Sequence, residues 1–171
     1  MATETRIIAV LVDNEPGVLA RVIGLFSGRG YNIESLTVTA VNPEENLSRI
    51  TIVTSGTPQI LEQIKAQLGR VVPVHRVMDF SQAGAGIERD ICLVKVAATG
   101  EQRVESLRIA DVSGARVVDA GLDHFVFELS GSGEEIDRFV ALMQPLGLCD
   151  VSRSGVIAML RGREGLGHTL S

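Results

Sequence analysis

Apolar and polar positions along the first half of the chain follow strand and helix periods in turn. Residues 6–12 (RIIAVLV) are apolar on both faces of a strand, which is typical of a strand covered on both sides. Helical spacing follows in the residues Val18, Leu19, Val22, Ile23, Leu25 and Phe26. Pro16 suits the first helical position, because its φ is fixed and its missing N–H needs no partner there. We expect Gly28 and Gly30 to end this helix through a left-handed cap.

The pattern continues with a hairpin, a second helix and a last strand. Two β-rich runs, residues 31–41 and 47–55, are separated by Asn-Pro-Glu-Glu-Asn, a composition typical of turns. A second helical stripe begins after Thr57-Pro58, and residues 71–80 form another β-rich run. The first half is therefore predicted to be a βαββαβ unit, in which helices cover one face of an antiparallel sheet.

The second half repeats this order after a small-residue stretch at 81–86 (SQAGAG), which is the predicted linker. Predicted strands cover residues 91–97, 115–120, 124–130 and 149–160, and predicted helices cover 104–112 and 136–143. The fold class is thus α+β, with two tandem βαββαβ ferredoxin-like domains at 1–80 and 87–160 and a flexible polar tail at 161–171. Because residues 6–12 are apolar on both faces, we expect the second domain or another chain to cover the open face of the first sheet.

Composition narrows the classes of function. The net charge is -5, from 16 basic and 21 acidic residues, and only 4% of residues are aromatic. Such a chain has neither the basic patch nor the stacking residues of nucleic-acid binders, so we expect no nucleic-acid partner. No apolar run approaches the ~20 residues that span a bilayer, and the start has no signal-peptide pattern, so we expect no membrane association. Cys92 and Cys149 are too few for a disulfide framework, which indicates a cytoplasmic protein with free thiols.

Candidate catalytic and metal sites are weak. Gly28-x-Gly30 follows a helix, whereas the dinucleotide fingerprint needs a strand before its glycines and a helix after them. Gly131-Ser132-Gly133 does precede a helix, and a turn with an N-cap is favoured there over an anion cradle. The histidines His75, His124 and His168 share no metal-ligand spacing, and His75 within an apolar strand is best interpreted as a structural or edge residue. We expect neither a catalytic residue nor a metal site in this chain.

The candidate binding element is the loop Asn14-Glu15-Pro16-Gly17-Val18-Leu19. A helix start leaves N–H groups without partners, here those of Gly17, Val18 and Leu19, and such groups suit a carboxylate. Gly17 lets a ligand approach the backbone closely, and the Asn14 amide carries both an acceptor and a donor. A plain helix start with Asn14 in an Asx turn explains the same residues equally well. The residues alone leave both interpretations open.

This loop resembles the first loop of ACT domains, a family of amino-acid-sensing domains in which it reads Asp/Asn-x-Pro-Gly-x-Leu. The longer run RIIAVLVDNEPGVLARVIGLFSGRGYNIESLTV, with LSRITIV after it, is similar to the regulatory small subunits of acetolactate synthase, also called acetohydroxyacid synthase. The resemblance covers residues 6–161. It implies an ACT domain, a second ACT-like domain, and a non-catalytic role.

The resemblance also implies partners and site residues. The implied partner is a large catalytic subunit that carries thiamine diphosphate, FAD and Mg²⁺. It condenses pyruvate with pyruvate or 2-oxobutyrate on the route to valine, leucine and isoleucine. No cofactor is expected in this chain. Small subunits of the family raise that activity and confer feedback inhibition, usually by valine. The implied effector-binding residues are Asn14, Pro16, Gly17, Val18, Leu19, Asn32 and Ile33. The alternative is a free-standing ACT sensor that regulates another enzyme or gene expression, although no segment reads as a DNA-binding helix-turn-helix.

Two of these residues are expected to lie far apart within one chain. A helix over residues 16–29 spans about 20 Å, which places Asn14 and Asn32 at opposite ends of the fold. A valine is only about 5–6 Å long. If both asparagines contact one ligand, they come from different chains, so we expect a homodimer with effector sites at its interface.

The second domain departs from the family pattern. Where relatives would carry a bulky aromatic residue followed by a basic one, this chain has Ser113-Gly114. A glycine is an acceptable helix cap, but an apolar anchor is lost, so weaker packing is expected there.

Overall fold

The computed structural model describes residues 2–42, 44–81, 86–163 and 165–166. The chain forms two compact units: Met1–Ile87 together with Val156–Ser171, and Glu88–Gly155. The described residues form one antiparallel sheet of four strands and one of five, each with two α-helices, which confirms the predicted α+β class. Residues 82–85 of the predicted linker lie outside the described residues, and residue 86 already belongs to a strand.

The elements follow the predicted order in both units. The first unit contains β1 (Glu4–Asp13), α1 (Val18–Ser27), β2 (Asn32–Asn42), β3 (Leu47–Gly56), α2 (Pro58–Leu68) and β4 (Val74–Asp79). The second sheet and its helices are built from β5 (Gly86–Ala97), α3 (Gly100–Ser113), β6 (Arg116–Ala120), β7 (His124–Gly131), α4 (Gly133–Met143) and β8 (Leu148–Arg153), and a last strand is β9 (Ile157–Leu160). The strand orders are β2-β3-β1-β4 and β6-β7-β5-β8, and β9 also pairs with β5.

The core of the first unit lies between the sheet and its two helices. Alternate residues of the central strands β1 and β3 point toward the helices, and register pairs Val10 with Ile50 and Ile8 with Ile52. The buried core consists of Ile8, Val10, Val12, Val18, Val22, Phe26, Ile50, Ile52, Leu61, Ile64 and Leu68. Aliphatic side chains dominate this list, as the low aromatic content requires.

The ends of α1 differ from the sequence expectation. The helix begins at Val18 and not at Pro16, because Gly17 has a left-handed backbone (φ 86°) that cannot belong to a right-handed helix. Pro16 lies in the turn before it. At the other end Gly28 is right-handed (φ -67°), so the predicted cap was wrong at Gly28, and the left-handed residue is Gly30 (φ 67°).

The other elements of the first unit agree with the pattern more closely. The Thr57 hydroxyl accepts a hydrogen bond from the Ile60 amide at 3.4 Å, which confirms the predicted start of α2. Strand β4 is shorter than the predicted run of residues 71–80, because residues 71–73 form a turn. The Val74 amide closes this turn by donating to the Val71 carbonyl at 2.8 Å.

The open face of the first sheet is covered by the chain's own residues 156–163 and 165–166, which we call the strap. Ala158 and Leu166 of the strap are buried in a cluster with Ala9, Leu11 and Phe80. The expectations that residues 149–160 close the second unit and that 161–171 form a flexible tail were therefore wrong for 156–163 and 165–166. Leu160 also packs against this cluster, so apolar side chains of the strap dock it on an apolar sheet face. Residues 164 and 167–171 lie outside the described residues.

The second unit has its own core and well-formed helix caps. Phe125, Phe127 and Phe139 pack together with aliphatic residues between the sheet and the helices. Ser132 and Glu135 form a reciprocal capping box at α4, which confirms the N-cap interpretation of Gly131-Ser132-Gly133. Gly114 ends α3 as a left-handed C-cap (φ 76°), a backbone conformation that glycine adopts easily because it has no side chain.

A buried ion pair joins three elements of the second unit. Asp90 of β5 has a side chain that is only 2% exposed, and it contacts Arg153 of β8 at 2.6 Å. The hydroxyl of Ser154 donates to the same carboxylate at 3.1 Å. Arg153 also contacts Asp137 of α4 at 2.6 Å, so this network joins the sheet to a helix.

Candidate functional site

The loop between β1 and α1 is held in place by backbone hydrogen bonds to two neighbouring segments. The Asn14 amide donates to the Asn46 carbonyl in the β2–β3 hairpin at 2.7 Å. The Asp13 amide donates to the Pro73 carbonyl at 3.2 Å, in the turn before β4. Since both anchors use main-chain atoms, the Asn14 side chain is not needed for them, and it lies exposed at the surface.

The N-terminus of α1 presents donors toward this exposed loop. In the part of the chain that the structure describes, the Gly17 and Leu19 amides have no hydrogen-bond partner, as a helix start leads one to expect. No side chain caps the helix, and a Cβ built on Gly17 would meet no atom within 4 Å, so the space above it is open. These two amides are suitably placed for a small anion.

Val18 differs from the role that the resemblance implies for it. Its side chain is 3% exposed and belongs to the core, and its amide donates to the Glu15 carbonyl at 3.3 Å. Its side chain therefore cannot reach a ligand above the helix start. Leu19 is 38% exposed and is the apolar side chain of this loop that a ligand can touch.

Two polar contacts beside the loop were missed by the sequence reasoning. The His75 Nε2 atom lies 2.6 Å from a carboxylate oxygen of Asp13, the residue before Asn14. The Arg21 guanidinium, on the first turns of α1, donates to the Val72 carbonyl at 3.2 Å. Both contacts tie the loop and helix start to the segment before β4. No local signal could reveal them, because their partners lie 62 and 51 positions apart in sequence.

Asn32 and Ile33 lie at the start of β2. The Asn32 side chain is exposed, while its carbonyl accepts a hydrogen bond from the Thr54 hydroxyl at 2.6 Å. Ile33 is half-buried and packs against the core of the first unit. The exposed amide of Asn32 is thus free to face outward from a backbone that is fixed by the sheet.

The register shows how far apart these two asparagines are within one chain. Asp13, next to Asn14, pairs with Leu47 at one end of β3, and Asn32 pairs with Ser55 near the other end. Ser55 lies eight positions after Leu47 along the strand, which corresponds to about 26 Å at ~3.3 Å per residue. One chain therefore does not bring Asn14 and Asn32 together.

The candidate chemistry elsewhere is limited. Within the described residues there is no group of three or more His, Cys, Asp or Glu side chains arranged to hold a metal ion. His75 lies on the edge strand β4, His124 belongs to the second unit, and His168 lies outside the described residues. Among the described helices, none is long and apolar enough to cross a membrane.

A βαββαβ unit with an Asn-x-Pro-Gly-x-Leu loop at the start of its first helix defines an ACT domain, and residues 8–76 match the family model described as the AHAS small subunit-like ACT domain. Residues 89–162 match a second family model, described as the small subunit of acetolactate synthase. The chain belongs to the acetolactate synthase small-subunit family, which confirms the resemblance seen in the sequence.

Individual relatives cover nearly the whole chain. The chain is 44% identical to the acetolactate synthase isozyme 3 small subunit of Escherichia coli, over 92% of this chain and 96% of that protein. It is 43% identical to the acetolactate synthase small subunit of Haemophilus influenzae, over 94% and 98% of the two chains. The crystal structure of the acetolactate synthase small subunit from Thermotoga maritima is similar with a TM-score of 0.83, at 28% identity, over 94% of this chain and 99% of that one.

Proposed function

We propose that this chain is the regulatory subunit of acetolactate synthase, which binds the large catalytic subunit, raises its activity and makes it sensitive to inhibition by valine. The observation that carries the proposal is the family match across both units, with relatives covered over more than nine-tenths of their length. Catalysis, with thiamine diphosphate, FAD and Mg²⁺, belongs to the large subunit in this proposal. The chain itself holds no cofactor and acts in the cytoplasm.

The effector is a valine or a related branched-chain amino acid bound above the start of α1. Its carboxylate accepts hydrogen bonds from the Gly17 and Leu19 amides, where the positive end of the helix dipole favours an anion. Its ammonium donates to the Asn14 amide oxygen. The open space above Gly17 and the exposed side chain of Leu19 support this placement. Pro16 shapes the turn, and Val18 contributes only through the helix start that it anchors in the core.

The site is completed by Asn32 and Ile33 of the partner subunit. Strand β2 is an edge strand of 11 residues, so it can pair with another copy of itself. Antiparallel pairing of two β2 strands about a two-fold axis reverses the direction of the partner's strand. It therefore brings Asn32 of the partner subunit to the end of the sheet that holds Asn14. Two equivalent sites result. A ligand in either site contacts both chains and stabilises the dimer arrangement that it fits.

Activity titration tests the proposal. The purified large subunit is assayed for acetolactate formation with increasing amounts of this chain, with and without valine. We expect saturable stimulation that valine reverses. Asn14→Ala should keep the stimulation and raise the half-inhibiting valine concentration about tenfold or more, because it removes hydrogen bonds to a charged group.

Gln59→Ala provides a matched control, since Gln59 is an exposed amide residue on α2. It should change neither stimulation nor inhibition. Absence of any stimulation by the wild-type chain would contradict the subunit assignment and would favour a free-standing sensor. Stimulation without valine sensitivity would contradict the effector assignment alone.

A further inference from the structure

A cavity of about 320 Å³ lies between the strap and the open face of the first sheet. Its walls are largely apolar, with Leu11, Met78 and Phe80 on the sheet side and Met159, Leu160 and Leu166 on the strap side. Small-ligand pockets begin at about 300 Å³, so the cavity has the volume for a small organic molecule. None of the candidate effector residues lines it.

The strap closes this cavity through hydrogen bonds from sheet side chains to strap main-chain atoms. The Thr37 hydroxyl donates to the Val156 carbonyl at 3.3 Å, and the Val156 amide donates to the Ser35 hydroxyl at 3.1 Å. Farther along, Arg76 donates to the Gly165 carbonyl at 3.2 Å. The strap thus crosses from the edge strand β2 to the opposite edge strand β4, with the cavity beneath it.

Arg49 is the one charged group among the described residues that line the cavity. Its guanidinium donates to the Ala158 carbonyl and lies 5.7 Å from the centroid of the Phe80 ring. In the part of the chain that the structure describes, no carboxylate forms an ion pair with it. Burial without a counter-charge lowers the pKa of the Arg49 guanidinium. A guanidinium has five N–H donors, so donors remain for an anion.

The remaining lining residues indicate what kind of anion fits. Leu11 and Phe80 form a buried apolar floor, while Met159 is 63% exposed at the rim. A ligand with an aliphatic tail would cover these side chains, and its carboxylate would neutralise a partly desolvated cation.

We propose that this cavity binds an aliphatic monocarboxylate of about six to eight carbons, with its carboxylate on Arg49 and its tail between the strap and the sheet. The ligand contacts both the sheet and strap residues Met159, Leu160 and Leu166. Binding therefore fixes the strap on the sheet and stabilises the first unit. This site is separate from the amino-acid site at the start of α1, and it stands whether or not the regulatory function is correct.

Methyl NMR of the full chain, labelled at the methionine methyl groups, tests the proposal with octanoate as the probe. Met78 and Met159 line the cavity, whereas Met143 is buried in the core of the second unit and serves as an internal reference. We expect saturable shifts of the Met78 and Met159 signals below the concentration at which octanoate forms micelles, with Met143 unchanged. Hydrogen exchange of strap amides should slow in the same samples.

Two comparisons isolate the role of the charge. 1-Octanol, which has the same tail without the carboxylate, should bind at least about tenfold more weakly than octanoate. Arg49→Gln should weaken octanoate binding by a similar factor, whereas Arg49→Lys retains the charge and should recover most of it. Arg70→Gln is the matched control, because Arg70 is an exposed residue of the same unit outside the cavity.

Met78→Trp fills the cavity and should abolish binding while the protein stays folded, as checked by its melting temperature and the Met143 signal. Four results would overturn the proposal. They are no shift of Met78 and Met159, equal affinity for octanol and octanoate, full affinity in Arg49→Gln, or shifts of Met143 as large as those of the cavity methionines.

Discussion

The left-handed backbone at Gly17 gives a sharp test of the loop geometry. Gly17 has φ 86°, and a Cβ added there meets no atom within 4 Å. Gly17→Ala therefore introduces backbone strain without a steric clash. An L-residue in the left-handed region costs about 1–2 kcal/mol, and the lower entropy of the unfolded alanine chain returns about 0.4–1 kcal/mol. We expect a net destabilisation of about 1 kcal/mol.

Gly24→Ala is the matched control. Gly24 lies inside α1 with ordinary helical backbone, and a Cβ there also meets nothing within 4 Å. Alanine is favoured over glycine in a helix interior by about 1 kcal/mol, so this variant should be more stable than wild type. The two variants make the same chemical change seven positions apart. Gly17→Ala should lower the stability by about 1 kcal/mol and Gly24→Ala should raise it by about 1 kcal/mol, so the two should differ by about 2 kcal/mol.

Urea unfolding followed by circular dichroism at fixed protein concentration measures both effects. The destabilisation corresponds to a melting temperature lower by roughly 4–8 °C for a unit of this size. Gly17→Asn should lie between glycine and alanine, because asparagine tolerates the left-handed region. Equal stability of Gly17→Ala and Gly24→Ala would show that the backbone at residue 17 is not left-handed, and the proposed amide geometry would fail with it.

Further predictions concern the second unit and the thiols. Arg153→Met leaves the Asp90 carboxylate buried without its ion pair, so urea unfolding should show that the free energy of unfolding falls by about 3 kcal/mol. The exposed control Arg138→Met should change it by no more than about 0.5 kcal/mol. An effect of Arg153→Met no larger than that of the control would show that the pair is not buried. The carboxylates of Asp123 and then Asp119 accept hydrogen bonds from the His124 ring and raise the pKa of His124 above its ordinary value, so NMR titration should find a raised midpoint and Asp119→Asn should lower it. Because the pKa of His124 is raised in the folded state, the stabilisation by its contacts with the two carboxylates is complete below about pH 6.5 and is lost as the pH rises through the folded pKa. A melting temperature that stays constant over this pH interval would contradict the stabilisation. Thiol counting in denaturant without reductant should find two thiols, since the β5–β8 register places Arg153, and not Cys149, opposite Cys92, and a count of zero would refute the free-thiol prediction. In the native protein the exposed Cys149 should react before Cys92, because burial raises the pKa of the Cys92 thiol.

The order of elements could be predicted because each change of hydrophobic period coincides with a proline or glycine. The start of α1 was misplaced by two residues, since Pro16 fits both a first helical position and a turn before a left-handed glycine. Helix α3 is longer than predicted, because the residues it buries include the small Ser106 and Ala110, which leave no strong apolar stripe. Local periodicity carries no information about such packing.

The strap and the surroundings of the loop depend on long-range contacts. The sequence predicts a polar tail at 161–171 and places Ala158 in the last strand of the second domain, whereas Ala158 and Leu166 both pack on one face of the first sheet. Asn14, Gly17 and Leu19 could be identified because a helix start presents its donors locally. The contact between His75 and Asp13 could not be identified from the sequence, since it follows only from the antiparallel pairing of β1 with β4.

The central claim is that the effector lies between two chains, and heterodimers that combine Asn14→Ala with Asn32→Ala test it most directly. In such a heterodimer one site carries both substitutions and the other carries none. Calorimetry on verified heterodimers, purified through two different affinity tags, should show one valine site per dimer with an affinity close to that of the wild type, although each parent homodimer binds weakly. Heterodimers that bind valine no better than either parent would show that Asn14 and Asn32 of different chains do not share a site.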